Sequence, residues 1–341
     1  MLNCQIYFCE WRFFGAVLIT SVRILAKMAK VQLVVESSLY TLENCKENFC
    51  LQKEMMDGMS KIKRMVAHKK YLIVTCVIFC IYTAILLFPE LWLLVNSFKD
   101  YIEFSNSSWG LPQKIQWSNY TYIFEHFAMG EAFFNSIIFC VACPTAGMIA
   151  TTFAAYAMAK FEFPGKKILF FIHILPMLVC ITGSTVALYL FFNELGMYDS
   201  IFSVVWMSAG GTGMNFLLVY GVFKNVSRTY MEAAEIDGAS DFTVFFKVML
   251  PQALGIIGML WMLGFIGCWN EFASYKLFAP SFPTVSIAIY DLQDNMTQGE
   301  NNGRYPEFFA AIMISIIPVV TIFLVFQEQI MKISLGGGIK G

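Results

Sequence analysis

Three sets of residues in this chain have types and spacing suited to chemistry. Trp269-Asn270-Glu271 places an aromatic ring beside an amide and a carboxylate. An indole face is apolar, and its two neighbours offer hydrogen-bond donors and acceptors. That combination suits a sugar, with its apolar ring faces and hydroxyl edges, and the triplet is a candidate for a solute path. Tryptophan is also the usual anchor at a membrane interface, so the ring has a purely positional reading as well. The second set is the run EAAEIDGASDFTVFFKVMLP from Glu232 to Pro251, where acidic, small and aromatic residues recur at fixed intervals. The third is scattered. Glu90 follows Pro89, and His173 stands alone, each inside an apolar segment where an ionisable group is costly unless it serves a pathway or finds a partner. The simpler account is that Glu90 reaches the interface or a polar partner and that His173 is a hydrogen-bonded helix-packing residue. His68, His126 and His173 are too far apart to form a catalytic or metal set. Cys140 and Cys143 form a CxxC inside an apolar stretch, where cysteine behaves as a small hydrophobe.

The elements that would hold these residues are membrane helices. Of 341 residues 58% are hydrophobic, 34 are Phe and only 14% are charged, against about 25% in soluble domains. Apolar runs near the roughly 20 residues that a spanning helix needs occur at about 71–95, 133–159, 168–192, 201–223, 254–275 and 308–326. The alternating ten-residue pattern of barrel strands is absent. Lysine and arginine gather on one set of connections: Lys61 to Lys70, the Lys160–Lys167 turn, Lys224 to Lys247, and the tail. The other set carries only Lys99, Lys114, Lys276 and Arg304. The positive-inside rule then puts both termini in the cytoplasm, the Glu232–Pro251 run inside, and residues 99–131 and 276–306 outside as loops. Residues 1–64 are a separate question. They read either as a surface-lying cytoplasmic extension or as a stretch before the native start at Met59 or Met65. Residues 65–341 read as one transmembrane domain.

Between the fourth and fifth apolar runs, the Glu232–Pro251 stretch must lie in water or be covered by another protein. Ala233 and Ala234 favour helix and keep the side chains small, so a partner can approach the backbone. Gly238 can turn the chain, and Asp237 can cap a second helix. Phe242, Phe245 and Phe246 fall at helical spacing as an apolar stripe. Pro251 can end this unit and open the next helix. The reading is a short helix, a turn and a second, amphipathic helix that offers a knob to a partner.

The order Glu232-Ala233-Ala234, three residues, Gly238, nine residues, Val248, one residue, Leu250-Pro251 resembles the EAA loop of ABC importer permeases. Only Val248 departs, standing where that pattern has Ile. Asn135-Ser136, the stretch AAYAMAKFEFPGKK from Ala154 to Lys167, and the tail from Phe326 are similar to the maltose-type carbohydrate branch. The tail departs at Ile333-Ser334-Leu335, where relatives have a Gly-containing step.

The resemblance implies an all-α integral membrane protein of the type I ABC importer fold, with six spans in the bacterial cytoplasmic membrane. It implies a permease subunit for a sugar or oligosaccharide, with Glu232, Ala233, Ala234, Asp237, Gly238, Ala239, Leu250 and Pro251 coupling it to an ATPase. The implied partners are a homologous permease, two cytoplasmic ATPase subunits, an extracytoplasmic solute-binding protein and the lipid bilayer, with no nucleic acid. No cofactor or metal is expected on this chain. No GxxxxGK[ST] run occurs in it, so ATP would be used by the partner subunits and the chain would not be an enzyme. The alternatives are an importer permease for a non-sugar solute, and a secondary transporter, which should show internal repeats and midplane ionisable groups.

Overall fold

The computed structural model describes residues 51–178, 184–210, 213–297 and 304–336, with side chains from 73 to 327 among them. Residues 1–50, most of the N-terminal extension, lie outside the described residues, as do 337–341 of the tail. The described regular structure is helical throughout: α1 (Leu51–Ser97), α2 (Tyr101–Asn106), α3 (Ser118–His126), α4 (Met129–Lys160), α5 (Lys166–Leu178), α6 (Ser184–Glu194), α7 (Ile201–Ser208), α8 (Met214–Asn225), α9 (Thr229–Ile236), α10 (Asp241–Val244), a π-helical turn (Phe245–Met249), α11 (Leu250–Trp269), α12 (Ala273–Phe278), α13 (Val285–Thr297) and α14 (Tyr305–Gly336).

Two compact units divide at Leu94. Among the described residues the first is α1 as far as Leu94, a helix with Pro89 inside it and Glu90 half-buried. The second runs from Val95 onward.

Among the described residues, four helical stretches are long and apolar enough to cross a membrane: Ile73–Ser97, Met129–Lys160, Asp241–Trp269 and Tyr305–Gln327. The first, second and fourth of these coincide with the first, second and sixth apolar runs, whereas the third overlaps the fifth run, expected over 254–275, but starts at Asp241 and stops at Trp269. Of the third and fourth runs, expected as single helices over 168–192 and 201–223, the fourth is divided in two. Helices α5 and α6 cover the third, and residues 179–183 between them lie outside the described residues. Helices α7 and α8 cover the fourth, and there the cause is local. Gly213 sits at φ +77, a left-handed conformation that cannot continue an α-helix. Its N–H turns instead to the carbonyl of His173 on α5, 2.8 Å away. The stretches expected as outer loops also contain helices: α2 and α3 within 99–131, and the end of α12 and all of α13 within 276–306. Short amphipathic segments of this kind carry too few apolar residues to register as spans.

Helix α4 is the centre of the second unit, and α3, α7, α8, α11 and α13 pack on it. Its composition explains why. It buries Ala132, Asn135, Ser136, Cys140, Cys143, Thr151, Thr152 and Ala155, small residues that let neighbouring backbones close in. The closest approaches confirm this. A β-carbon on Gly147 would stand 2.8 Å from the Ser208 carbonyl of α7, and one on Gly264 of α11 would stand 3.1 Å from Pro144 Cβ. Beside the second crossing, Trp261 Nε1 donates to Thr145 Oγ1 at 2.9 Å, a bond of the class worth about 0.6 kcal/mol in membrane helix pairs. The core lies in three clusters along α4. One joins it to α8 and the segment 244–260, one to α3, α11, α13 and α14, and one to α6, α7 and α12.

Candidate functional site

The Glu232–Pro251 run forms a projecting helical pair with a rooted base. Helix α8 ends at Asn225, and Val226 leaves it extended. Ser227 Oγ accepts from Thr229 N–H at 3.2 Å, which starts α9. Glu232 lies in the first turn of α9, where the helix dipole favours negative charge. The far end of α9 is closed by a Schellman motif. Gly238 N–H donates to Glu235 O and Ala239 N–H to Ala234 O, both at 3.0 Å, with Gly238 at φ +77. That geometry accounts for the spacing. The second alanine, Ala234, supplies the carbonyl that Ala239 closes on, both residues pack against the core below, and the glycine takes the left-handed position between them.

Two expectations about this run are corrected. Asp237 caps no second helix. It is the C-terminal cap residue of α9, and the N-cap of α10 is Ser240, whose Oγ accepts from Thr243 N–H at 3.4 Å. Pro251 does stand in the first turn of α11, as expected, but it does not end the unit. Helix α10, the π turn and α11 run on as one helix, with Leu250 N–H reaching back five residues to Phe245 O. A proline ring clashes with the carbonyl four residues earlier in a regular helix, and the widened π turn sits where that clash would fall. Gln252 Nε2 meets the Val248 carbonyl nearby at 3.0 Å.

The π turn also splits the aromatic stripe. Phe245 is buried with Val244 and Met249. Its ring lies 5.0 Å from Phe153 and 4.8 Å from Tyr156 of α4. Phe242 and Phe246 point away, 73% and 51% exposed, as do Ile236 at 86% and Tyr230 at 58%. Glu232, Ala233, Asp237 and Gly238 share that open side, and Pro251 is exposed at the base while Leu250 is half-buried. The base is pinned to α4: Lys160 Nζ donates to Val226 O at 2.6 Å, and Arg228 Nη2 reaches Lys160 O at 3.5 Å. In the neighbouring α4–α5 turn Lys166 holds Glu162 at 2.8 Å, which keeps the Glu162 carboxyl below its ordinary range. Sequence reasoning missed Ser240, Ser227 and Lys160. Ser240-Asp241 ahead of an apolar run is an N-cap signal that could have found the first.

Trp269, Asn270 and Glu271 lie at the other end of α11. Trp269 is buried between Phe133 and Phe265, and its Nε1 donates to Ser315 O of α14 at 3.2 Å. Asn270 Nδ2 turns back to Ile266 O at 2.8 Å. Glu271 accepts from Ser274 N–H at 2.9 Å and starts α12. The three residues therefore form the joint where α11 stops and α12 begins. Around it Asn135 Nδ2 donates to Pro283 O, Ser136 Oγ accepts from Val285 N–H, and Asp199 takes both the N–H and the hydroxyl of Ser281. Those two Ser281 bonds hold the Asp199 carboxyl below its usual range. His173 sits with Nδ1 2.8 Å from the Leu169 carbonyl and its ring against Phe216. Trp269→Phe keeps a ring and removes one N–H. It should lower thermal stability by about 1 kcal/mol and leave the half-saturating solute concentration unchanged. A selective shift in that concentration at normal stability would put the ring in the solute path.

Residues 72–332 match the family described as "Binding-protein-dependent transport system inner membrane component". The chain is 28% identical over 300 residues to the maltose/maltodextrin transport system permease protein MalG of Salmonella typhimurium, covering 81% of this chain and 98% of that one. It is 26% identical over 273 residues to the diacetylchitobiose uptake system permease protein NgcG of Streptomyces coelicolor, covering 77% and 87%. It is 26% identical over 263 residues to the galactooligosaccharides transport system permease protein GanQ of Bacillus subtilis, covering 75% and 91%. Among solved structures, a chain of a bacterial ABC transporter involved in the import of the acidic polysaccharide alginate superposes with a TM-score of 0.65 at 21% identity, covering 77% and 97%. The helical order described above is therefore the fold of that permease.

Proposed function

Because the chain belongs to the family of binding-protein-dependent transport system inner membrane components, we propose that it is the permease subunit of an importer for a sugar or oligosaccharide. The observation that carries this reading is the Glu232–Pro251 projection. It has a polar, small-residue crest with exposed Tyr230, Ile236 and Phe242, and it runs without a break into the membrane helix α11. Such a knob fits a cleft on a cytoplasmic ATPase, with Glu232, Ala233, Asp237 and Gly238 at the contact, Ala234 and Ala239 supporting them from below, and Leu250-Pro251 at its root. ATP binding would close two ATPase subunits, move the knob, and tilt the spans of this chain and a homologous permease from inward-open to outward-open. A ligand shifts such an equilibrium only by binding the two states differently, so the knob must dock differently in each. ATP would be bound and hydrolysed by the partners.

In this reading residues 65–341 form the transmembrane domain. It has six crossings, of which the third is α5–α6 and the fourth α7–α8, and both termini lie in the cytoplasm. Oligosaccharide as the solute rests on relatives described as permeases for diacetylchitobiose, galactooligosaccharides and maltodextrins. A binding-protein partner is favoured by a similar fold in an alginate transporter in complex with its alginate-bound periplasmic protein. The test is to purify the complex through a tag on this chain, reconstitute it in liposomes with its binding protein, and offer tritiated diacetylchitobiose, galactooligosaccharides and maltodextrins. Uptake of one of them that requires ATP on the ATPase side is expected. Uptake driven by an ion gradient without ATP would mean a secondary transporter, and ATP-driven uptake of none of the three would remove the carbohydrate assignment.

A further inference from the structure

Lys160 is the last residue of α4 and is 7% exposed. Burying an ammonium is unfavourable unless its donors find partners, yet among the described residues it has no ion pair. Its partner is a main-chain atom, the Val226 carbonyl, 2.6 Å from Nζ. Val226 is the extended residue between α8 and the start of the projection. Two residues on, Arg228 Nη2 reaches back to the Lys160 carbonyl at 3.5 Å. The two residues thus grip each other's chain from opposite sides. A charge-assisted bond to a carbonyl is stronger than a neutral one, and here it fixes backbone rather than a mobile side chain. One turn before Lys160, Tyr156 touches Phe223 of α8 and Phe245 of the π turn, with ring centroids 5.6 and 4.8 Å apart. The end of α4 is therefore held at both the entrance and the exit of the projection.

We infer that Lys160 is a positioning residue for transport. Through its bond to the Val226 carbonyl it makes the end of α4 move with the base of the projection, so that displacement of α9 reaches the central helix. The inference rests on the reading of Glu232–Pro251 as the ATPase-docking element. Its own content is different: docking is unaffected by Lys160, whereas transmission requires it.

The experiment uses the reconstituted complex with the same tritiated oligosaccharides and measures three things on one preparation: ATPase subunits retained per permease, ATP hydrolysed, and oligosaccharide imported. Lys160→Met keeps the length and loses the donor. It should retain the ATPase subunits and continue to hydrolyse ATP, while the oligosaccharide imported per ATP falls roughly tenfold or more. Lys160→Arg, which still reaches a carbonyl, should restore that ratio to within about threefold. A purely structural role would lower assembly and hydrolysis together and leave the ratio alone. Should Lys160→Met fail to accumulate, Lys160→Gln, polar but too short to reach Val226, is judged by the same ratio. A wild-type ratio in an assembled Lys160→Met or Lys160→Gln complex overturns the inference and leaves the docking reading intact. If the docking reading is wrong, Gly238 and Glu232 variants will keep both assembly and uptake, a result independent of Lys160.

Discussion

Gly238→Asp and Glu232→Lys are expected to leave this chain inserted in the membrane and to abolish import. The reasons differ. Gly238 holds φ +77, and a β-carbon built there meets nothing within 4 Å. The glycine is therefore required by backbone conformation, and the space above it is open for a partner. A residue with a side chain at such a φ costs about 1–3 kcal/mol. Relaxing that strain would open the Schellman bonds from Gly238 to Glu235 and from Ala239 to Ala234. Each 1.4 kcal/mol lost from docking is about tenfold in affinity, and a carboxylate standing into the interface adds a desolvation penalty. Glu232 lies exposed in the first turn of α9, so reversing its charge weakens the dipole interaction by only about 0.3–1 kcal/mol. The helix survives, and the partner meets the wrong sign. In both variants the ATPase subunits should dissociate during purification, or hydrolyse ATP without import. Gly238→Ala, which has the strain without the charge, should fall between. Full ATPase retention with wild-type uptake in both variants would show that the segment does not couple the two proteins.

Gly147→Val should prevent stable assembly of the chain itself. A β-carbon at residue 147 would lie 2.8 Å from the Ser208 carbonyl; it is fixed directly to one helix backbone and meets a main-chain atom of the other, so neither can swing aside as the end of a side chain does. Overpacking of a close-packed interior costs about 1–3 kcal/mol, and here α4 would have to part from α7. Gly264→Val should be milder, because its β-carbon meets the Pro144 ring at 3.1 Å rather than a main-chain oxygen. Gly221→Ala is the control. It lies within α8 with nothing near the new carbon, and alanine is favoured over glycine in a helix by about 0.8–1 kcal/mol. Detergent-solubilised protein followed by fluorescence-detected gel filtration after heating should rank them: Gly221→Ala at or above the parent, then Gly264→Val, then Gly147→Val. An equal melting temperature for Gly147→Val would mean that α4 and α7 do not meet closely in the membrane.

The legible parts of this structure were those set by long runs of one kind of residue. Four stretches of sustained hydrophobicity became four long helices, because the cost of unpaired backbone groups in hydrocarbon leaves little else for them to do. The left-handed turn at Gly238 was legible for the same kind of reason, since few other residues take that conformation. What failed depended on single hydrogen bonds. Asp237 and Ser240 both suit an N-cap, and only the Schellman closure, which uses Asp237 to finish α9, assigns the role to Ser240. Pro251 reads as a boundary because in a regular helix it is one, and no composition rule announces a π turn upstream. The divided fourth run has a span's worth of apolar residues, so hydropathy cannot separate one helix from two. Gly213 is the residue that breaks it. The Trp269 triplet was ambiguous because an indole beside a carboxylate can serve a sugar ring or a helix joint. The structure spends its N–H on Ser315.

The unbroken helix from Asp241 to Trp269 has a mechanical consequence. One close contact with the central helix is at Gly264 against Pro144, far from its middle. At 1.5 Å per residue, Phe242 lies about 33 Å to one side of that contact and Trp269 about 8 Å to the other. For any tilt about that contact, the helix is a lever with arms in a ratio of about four to one. A displacement of several ångströms at the exposed phenylalanine arrives at the tryptophan joint reduced fourfold in distance and multiplied fourfold in force. Such gearing suits a device driven by large domain movements at one end and required to part tightly packed side chains at the other.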